Sequence, residues 1–189
     1  MPDVTCKLSG LEKSFGRNHV LRGIDLELRA GEVTALMGAN GAGKSTLVKV
    51  LCGYHFADAG EIELAGAPFK PLDAADAISK GVVTVHQSID DGVIPDLDVA
   101  TNLTLDLLTE PGADFFVNDR KLRRQARKVA ESMGLTMDVR TRVADLEVAD
   151  RQMIAIARAM ARAPKLLILD EPTSSLSASE ADRLFALID

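Results

Sequence analysis

Between Ile24 and Leu28 apolar residues alternate with acidic ones, Ile24-Asp25-Leu26-Glu27-Leu28, the period of a strand that buries one face. Gly31 precedes Val33 to Met37, a continuously apolar stretch of the kind found in buried parallel strands, which breaks into the glycine-rich segment Gly38 to Gly43. A helix is expected from Lys44 to about Leu51. Beyond Gly53, Glu61-Ile62-Glu63-Leu64 alternates again and ends at Gly66 and Pro68, predicting a short antiparallel strand and a turn. Asp73 to Lys80 reads as a short helix and Val82 to Val85 as another strand.

From Asp90 to about Asp145 the period changes. Apolar residues fall at helical spacing in Val99, Leu103 and Leu107 and in Leu122, Ala126, Val129 and Met133, so a helical subdomain is expected to be inserted over roughly 90–160. Arg120, Lys121, Arg123, Arg124, Arg127 and Lys128 lie opposite the apolar stripe of the second of these helices, and their plain reading is a solvated face. A helix from about Asp150 to Arg162, a strand Leu166 to Leu169 and a last helix near Ser179 to Ile188 complete the pattern.

Composition narrows the function classes. The 189 residues suit one domain, and 47% hydrophobic with 26% charged residues suffices for a core. Lys and Arg number 22 against 28 Asp and Glu, a net charge of −6, so there is no global basic field to hold a nucleic acid. Cys6 and Cys52 have no further Cys or His at ligand spacing, which argues against a zinc site or a disulfide framework and fits a reduced cytoplasm. Met1-Pro2-Asp3-Val4 opens no secretory leader, and no apolar run approaches the roughly 18 residues of a membrane span. Work at a membrane would then require docking on something that spans it.

Gly38-Ala39-Asn40-Gly41-Ala42-Gly43-Lys44-Ser45 is a complete match to the phosphate-loop pattern G-x-x-x-x-G-K-[ST], set between an expected strand and an expected helix. The bland alternative is a glycine-rich turn. In the functional reading Gly38, Asn40, Gly41, Ala42 and Gly43 let backbone N–H groups converge on phosphate oxygens, and the helix N-terminus adds partial positive charge. Lys44 brings an ammonium to the outer phosphates, the Ser45 hydroxyl ligates magnesium and Thr46 donates to an inner phosphate. Leu166-Leu167-Ile168-Leu169 runs into Asp170 and Glu171, two carboxylates that would be costly at a buried strand end unless they served a polar site. Asp170 suits magnesium, directly or through water, and Glu171 suits a general base for an attacking water.

In this order, and across nearly the whole chain, these motifs resemble the nucleotide-binding domain of an ABC transporter ATPase. The resemblance implies an α/β P-loop NTPase core with an antiparallel β-subdomain and an inserted helical subdomain, and ATP and Mg2+ as cofactors. It places Gln87 as the Q-loop glutamine that reaches the magnesium and the attacking water and reports to the transmembrane partner. Phe15 takes the position of the aromatic that stacks on adenine, although a lone aromatic could equally be core. Ser174-Ser175-Leu176-Ser177 resembles the D-loop at the dimer interface. Leu146-Glu147-Val148-Ala149-Asp150 aligns with the LSGGQ signature and departs from it: Glu147 stands at the serine and Ala149 at a glycine. In the family that stretch contacts the γ-phosphate bound by the opposite subunit, where a carboxylate would meet a charge of its own sign. The alternative is that Glu147 points aside and the dipole of the helix beginning near Asp150 suffices.

Val83-Thr84-Val85-His86-Gln87 and Arg151-Gln152-Met153-Ile154-Ala155-Ile156-Ala157-Arg158-Ala159 resemble, more narrowly, the first ATPase domain of bacterial monosaccharide importers of the ribose, galactose and xylose type. That family usually joins two such domains in tandem, with a switch histidine beyond the last helix seen here. His19, His55 and His86 all precede the Asp170-Glu171 pair, so a single domain incomplete at its C-terminus is expected over 1–189. The implied function is ATP hydrolysis driving sugar import. The implied partners are a second ABC ATPase domain in cis or in trans, transmembrane permease subunits and, indirectly, a periplasmic or extracellular sugar-binding protein, on the inner face of the cell membrane. Two alternatives are a non-hydrolytic nucleotide-binding regulatory module and a soluble ABC ATPase of translation or DNA repair.

Overall fold

The computed structural model describes residues 3–85, 92–105, 119–173 and 176–188. The chain divides into two compact units, Met1–Val83 with Ala163–Ile168, and Thr84–Arg162 with Leu169–Asp189. In the first, β1 (Val4–Phe15) and β2 (Asn18–Arg29) pair as an antiparallel hairpin. β3 (Ala59–Leu64) pairs with the other edge of β1, and the two-residue β4 (Ala67–Pro68) ends the sheet in the order β2-β1-β3-β4. Ala65 and Gly66, at φ 51 and 74, supply the two left-handed residues that a tight two-residue hairpin turn requires.

The expected strands include nothing before Ile24, and β1 is the element they miss. Cys6 and Leu8 point inward with the period of a strand, but a register shift follows between Leu8 and Leu11, and Leu11 is the next buried residue. Gly10 sits in that irregularity at φ 57, with its N–H donating to Asp25 Oδ1 at 2.7 Å. The bulge therefore erases the alternation that would have announced the strand. Gly60 of β3 crosses at the same place: a Cβ there would lie 2.4 Å from the Gly10 carbonyl oxygen.

Helix α1 (Lys44–Leu51) matches its expected span, and α2 (Ala74–Ser79) is one residue shorter at each end, Asp73 serving as its N-cap by accepting from Asp76 N–H at 2.8 Å and Lys80 as its C-cap. Leu47, Val50 and Leu51 of α1 join Leu8, Leu11, Leu21 and Ile62 in the core of this unit. Cys6 belongs to the same core, and burial pushes its thiol up to about 11; Cys52 is buried as well. The far end of β1 is pinned by Asp58, which accepts from Lys13 Nζ at 2.7 Å and from Ser14 N–H at 2.6 Å.

One expected strand does not form. Val33 to Met37 carries no regular secondary structure, and Val33 and Met37 are 78% and 86% exposed. A continuous apolar run becomes a buried strand only when neighbours complete its ladder, and among the described residues no strand pairs with it. Strands β5 (Val82–Val85) and β6 (Leu166–Leu169) have the expected bounds and pair with each other in a two-stranded sheet. Leu166 N–H bonds the Gly81 carbonyl and Asp170 N–H bonds the Val85 carbonyl, so the two strands run parallel.

The second unit is helical. It holds α3 (Val99–Thr104), α4 (Asp119–Ser132), a 3₁₀ turn at Val143–Asp145, α5 (Val148–Ala161) and α6 (Ala178–Ile188), with α3 against α4 and α5. Leu107 lies outside the described residues. Val99, Ala126, Val143, Ile154 and Ile156 are fully buried. So is the polar residue Asn102. Its Oδ1 accepts from Ile94 N–H at 2.7 Å, while Nδ2 donates to the carbonyls of Ile94 at 3.0 Å and Asp98 at 3.1 Å. The amide replaces a missing stretch of secondary structure for the loop that enters α3.

Two tests follow from these contacts. Asn102→Ala leaves the Ile94 N–H buried without an acceptor and should lower unfolding free energy by about 2–3 kcal/mol in a urea titration. Unchanged stability would mean that the loop does not depend on the amide. The bonds from Lys13 and Ser14 hold the Asp58 carboxyl below the usual carboxylate range. Its contribution is therefore complete above the ordinary carboxylate pKa of about 4 and is lost as pH falls through the lower folded value. Asp58→Asn should flatten the acid limb of stability against pH, and parallel acid limbs for the two proteins would contradict this.

Candidate functional site

Gly43 ends the phosphate loop in a left-handed turn at φ 95, and the α1 ladder begins there, with Leu47 N–H bonding its carbonyl at 2.9 Å. A Cβ on Gly43 would lie 3.0 Å from Leu21 Cδ2 and 3.3 Å from the Val20 carbonyl oxygen. Only glycine satisfies both the torsion and the approach of β2. Gly41 is left-handed too, at φ 81, and Ala42 N–H closes a turn on the Ala39 carbonyl at 3.1 Å. The first-turn amides of Lys44, Ser45 and Thr46 precede that ladder, the donor arrangement that receives an anion.

Lys44 folds back across the loop, with Nζ donating to the carbonyls of Gly38 at 2.7 Å and Ala39 at 3.0 Å. The ammonium is thus held beside the loop backbone instead of extending into solvent. Ser45 is exposed and Thr46 half-buried. The hydroxyl of Ser45 is a hard oxygen donor at a helix N-terminus, which fits magnesium.

Phe15 closes β1 and is 44% exposed, so it is not core. The His55 ring meets it edge-on at 5.1 Å with an interplanar angle of 70°, and Lys13 Nζ stands 5.5 Å over its centroid. Lys13, His55 and Asp58 were missed at the level of sequence. Lys13 lies far in sequence from His55 and Asp58 and shares no motif with them, so only the packing of β1 beside the chain after α1 reveals the group.

Asp170 and Glu171 belong to the second unit. Asp170 is half-buried at the end of β6, where its N–H bonds the Val85 carbonyl at 3.0 Å. The strand itself is only half-buried, less than its apolar run suggests. Glu171 is exposed and has φ 49, a torsion sparsely populated by non-glycine residues. Gln87, Ser174 and Ser175 lie outside the described residues. The remainder of the D-loop resemblance is tied to α6 by one side chain: Glu180 Oε2 accepts from both the N–H and the Oγ of Ser177 at 2.6 Å, which draws the carboxyl of Glu180 below its ordinary range.

Helix α5 starts at Val148, two residues before the expected Asp150, which makes Glu147 its N-cap. Glu147 is exposed, its side chain forms no cap, and its carbonyl accepts from Arg151 N–H at 3.1 Å. Leu146 is half-buried between the 3₁₀ turn and the helix, and Val148 is exposed. Ala149 is buried, so its methyl packs in the interior. Asp150 sits in the first turn of α5 and pairs with Arg183 of α6 at 3.7 Å.

The ABC transporter family model matches residues 21–174, from β2 through the carboxylates that follow β6. The chain is 40% identical, over 96% of its length, to the ribose import ATP-binding protein RbsA 2 of Escherichia coli O157:H7, of which it covers 35%. It is 43% identical, over 96%, to a putative ribose/galactose/methyl galactoside import ATP-binding protein of Burkholderia ambifaria, covering 34%. It is 41% identical, over 97%, to the arabinose import ATP-binding protein AraG 1 of Burkholderia cenocepacia, covering 36%. The chain thus spans about a third of the length of the curated relatives it matches. Among solved structures, cbiO1 from Clostridium perfringens, part of the ABC transporter complex cbiONQ, superposes with a TM-score of 0.83 at 24% identity, covering 98% of this chain and 72% of that one. The fold is that of a P-loop cassette with an antiparallel β-subdomain and a helical subdomain. With a phosphate loop built on Gly43 and Lys44, and a family match that runs through more than half its residues, the chain belongs to the ABC transporter family.

Proposed function

We propose that the chain is the ATP-binding and hydrolysing part of an ABC importer subunit, and that the importer carries a monosaccharide. The observation that carries the nucleotide assignment is the phosphate loop, with its left-handed Gly41 and Gly43, its first-turn amides and its inward Lys44. The names of the curated relatives support the sugar. On this reading Lys44 exchanges its bonds to the Gly38 and Ala39 carbonyls for the outer phosphates. The loop amides of Gly41, Ala42 and Gly43 and those of Lys44, Ser45 and Thr46 hold the remaining oxygens, and Asn40 shapes the loop mouth. The free part of the Phe15 surface stacks on adenine.

Ser45 and Asp170 are assigned as magnesium ligands, with Gln87 as a third oxygen donor. The ion, when bound, offsets charge on the β- and γ-phosphates. Glu171 is assigned to orient and polarise the attacking water, with Gln87 beside it. A second ABC ATPase domain, permease subunits at the inner face of the membrane and a sugar-binding protein acting through them complete the proposed assembly. No helix among the described residues is long and apolar enough to cross a membrane, so force would pass to the permease by docking.

Glu147 favours a second reading. An exposed carboxylate at the N-terminus of α5 stands where the family places a serine hydroxyl, and beside a γ-phosphate it would slow closure. In that case ATP is bound and turned over little, and the module acts as a nucleotide-dependent switch.

Lys44→Ala should weaken MgATP binding at least about 100-fold in calorimetry, because it removes the charge that offsets the outer phosphates. Unchanged affinity would sink the nucleotide assignment. In an assembled transporter Glu147→Ser should raise phosphate release by removing like-charge repulsion. A flat or lower rate there would mean that Glu147 does not face the nucleotide.

A further inference from the structure

The nucleotide reading leaves the outward side of α4 unexplained. Its 14 residues carry six Lys and Arg against Asp119 and Glu131, in a chain whose net charge is −6. Arg123 is engaged by Asp119 at 2.9 Å. Arg120, Lys121, Arg124, Arg127 and Lys128 are exposed and fall within about 120° of helical arc, at 100° per residue, with Glu131 the one carboxylate that shares the arc. Arg120, Arg124 and Lys128 follow one another at i,i+4, an arrangement that costs an isolated helix stability through like-charge repulsion. Nothing in the packing demands it. The opposite side of α4, with Leu122, Ala126 and Ala130 buried, meets α3 and α5, and that side alone supplies the packing.

We propose that this face is a docking surface for the anionic headgroups of a phospholipid bilayer, which would hold the helical subdomain against the membrane beside its permease. The inference rests on the membrane-side placement proposed above. Two features favour headgroups over other polyanions. The row is short, about 12 Å from Arg120 to Lys128 at 1.5 Å per residue, and is presented by a single helix. The exposed arc holds no large apolar side chain, so adhesion would be electrostatic, without insertion, and additive over the cations.

The test is sedimentation of the full chain with vesicles of phosphatidylglycerol in phosphatidylcholine and with vesicles of phosphatidylcholine alone. The parent should bind the anionic vesicles, ignore the neutral ones and be released by salt at about 0.5 M, where screening is short-ranged. Arg124→Glu with Arg127→Glu and Lys128→Glu should lower the partition coefficient at least about 100-fold, and the same three positions changed to Gln should fall between. Arg124→Lys with Arg127→Lys should preserve binding, because the field and not the guanidinium fork makes the contact. Equal binding to neutral vesicles, no binding to anionic ones, or a charge-reversed protein that binds like the parent would each overturn the proposal. So would displacement of anionic vesicles by short duplex DNA at equal phosphate concentration. MgATP affinity, read on the same samples, reports separately on the nucleotide site: its absence in the parent would count against the proposed function while leaving the vesicle result to stand on its own.

Discussion

The left-handed torsion of Gly43, at φ 95, is the constraint on which the phosphate loop and the start of α1 depend. It strains any residue that carries a Cβ, a Cβ there would also lie only 3.0 Å from Leu21 Cδ2, and the glycine sets the direction in which α1 departs. Leu47 and Leu51 on α1 then reach the same core as Leu21. Leu21 in turn is placed by its pairing with Lys13 of β1. The end of the loop is therefore placed by the same core that holds the hairpin, so a sheet remote from the loop's N–H groups helps to orient them.

The local chemistry was legible in the sequence because it is local. The phosphate loop is eight consecutive residues, α1 has its expected bounds, and β5 and β6 are bounded as their apolar runs suggest. What failed depends on distant partners. Strand β1 is hidden because the bulge at Gly10 breaks its period, and Val33 to Met37 has a strand's composition but no paired neighbour among the described residues. The set of groups around Phe15 has no sequence signature at all, since Lys13, His55 and Asp58 meet only through tertiary packing. Asn102 is similarly silent: an Asn inside an otherwise helical pattern looks like a solvent-facing residue until the loop that it supports is seen.

Ala149 and Glu147, two of the positions at which the sequence differs from an LSGGQ pattern, have different surroundings. Ala149 is buried, so its methyl answers to the packing of α5 and says little about nucleotide. Glu147 is exposed and uncapped, with no structural duty that explains a carboxylate. Asp150 is drawn to Arg183 on α6, which ties the first turn of α5 to the helix that follows the Asp170-Glu171 pair. Such exposed pairs contribute little stability, so this link is better understood as an orienting contact between two helix ends.

The buried thiols bear on the compartment in which such a cassette works. Cys6 is drawn up to about 11 and packed in the core of the first unit, so its reactive thiolate is scarce at neutral pH and shielded from oxidants and electrophiles. Cys52, at the C-terminus of α1, is buried as well. The phosphate loop thus stands on a scaffold whose two cysteine thiols are both withheld from solvent. Oxidation beside the loop would fall instead on the thioether of Met37, which precedes Gly38 and is 86% exposed.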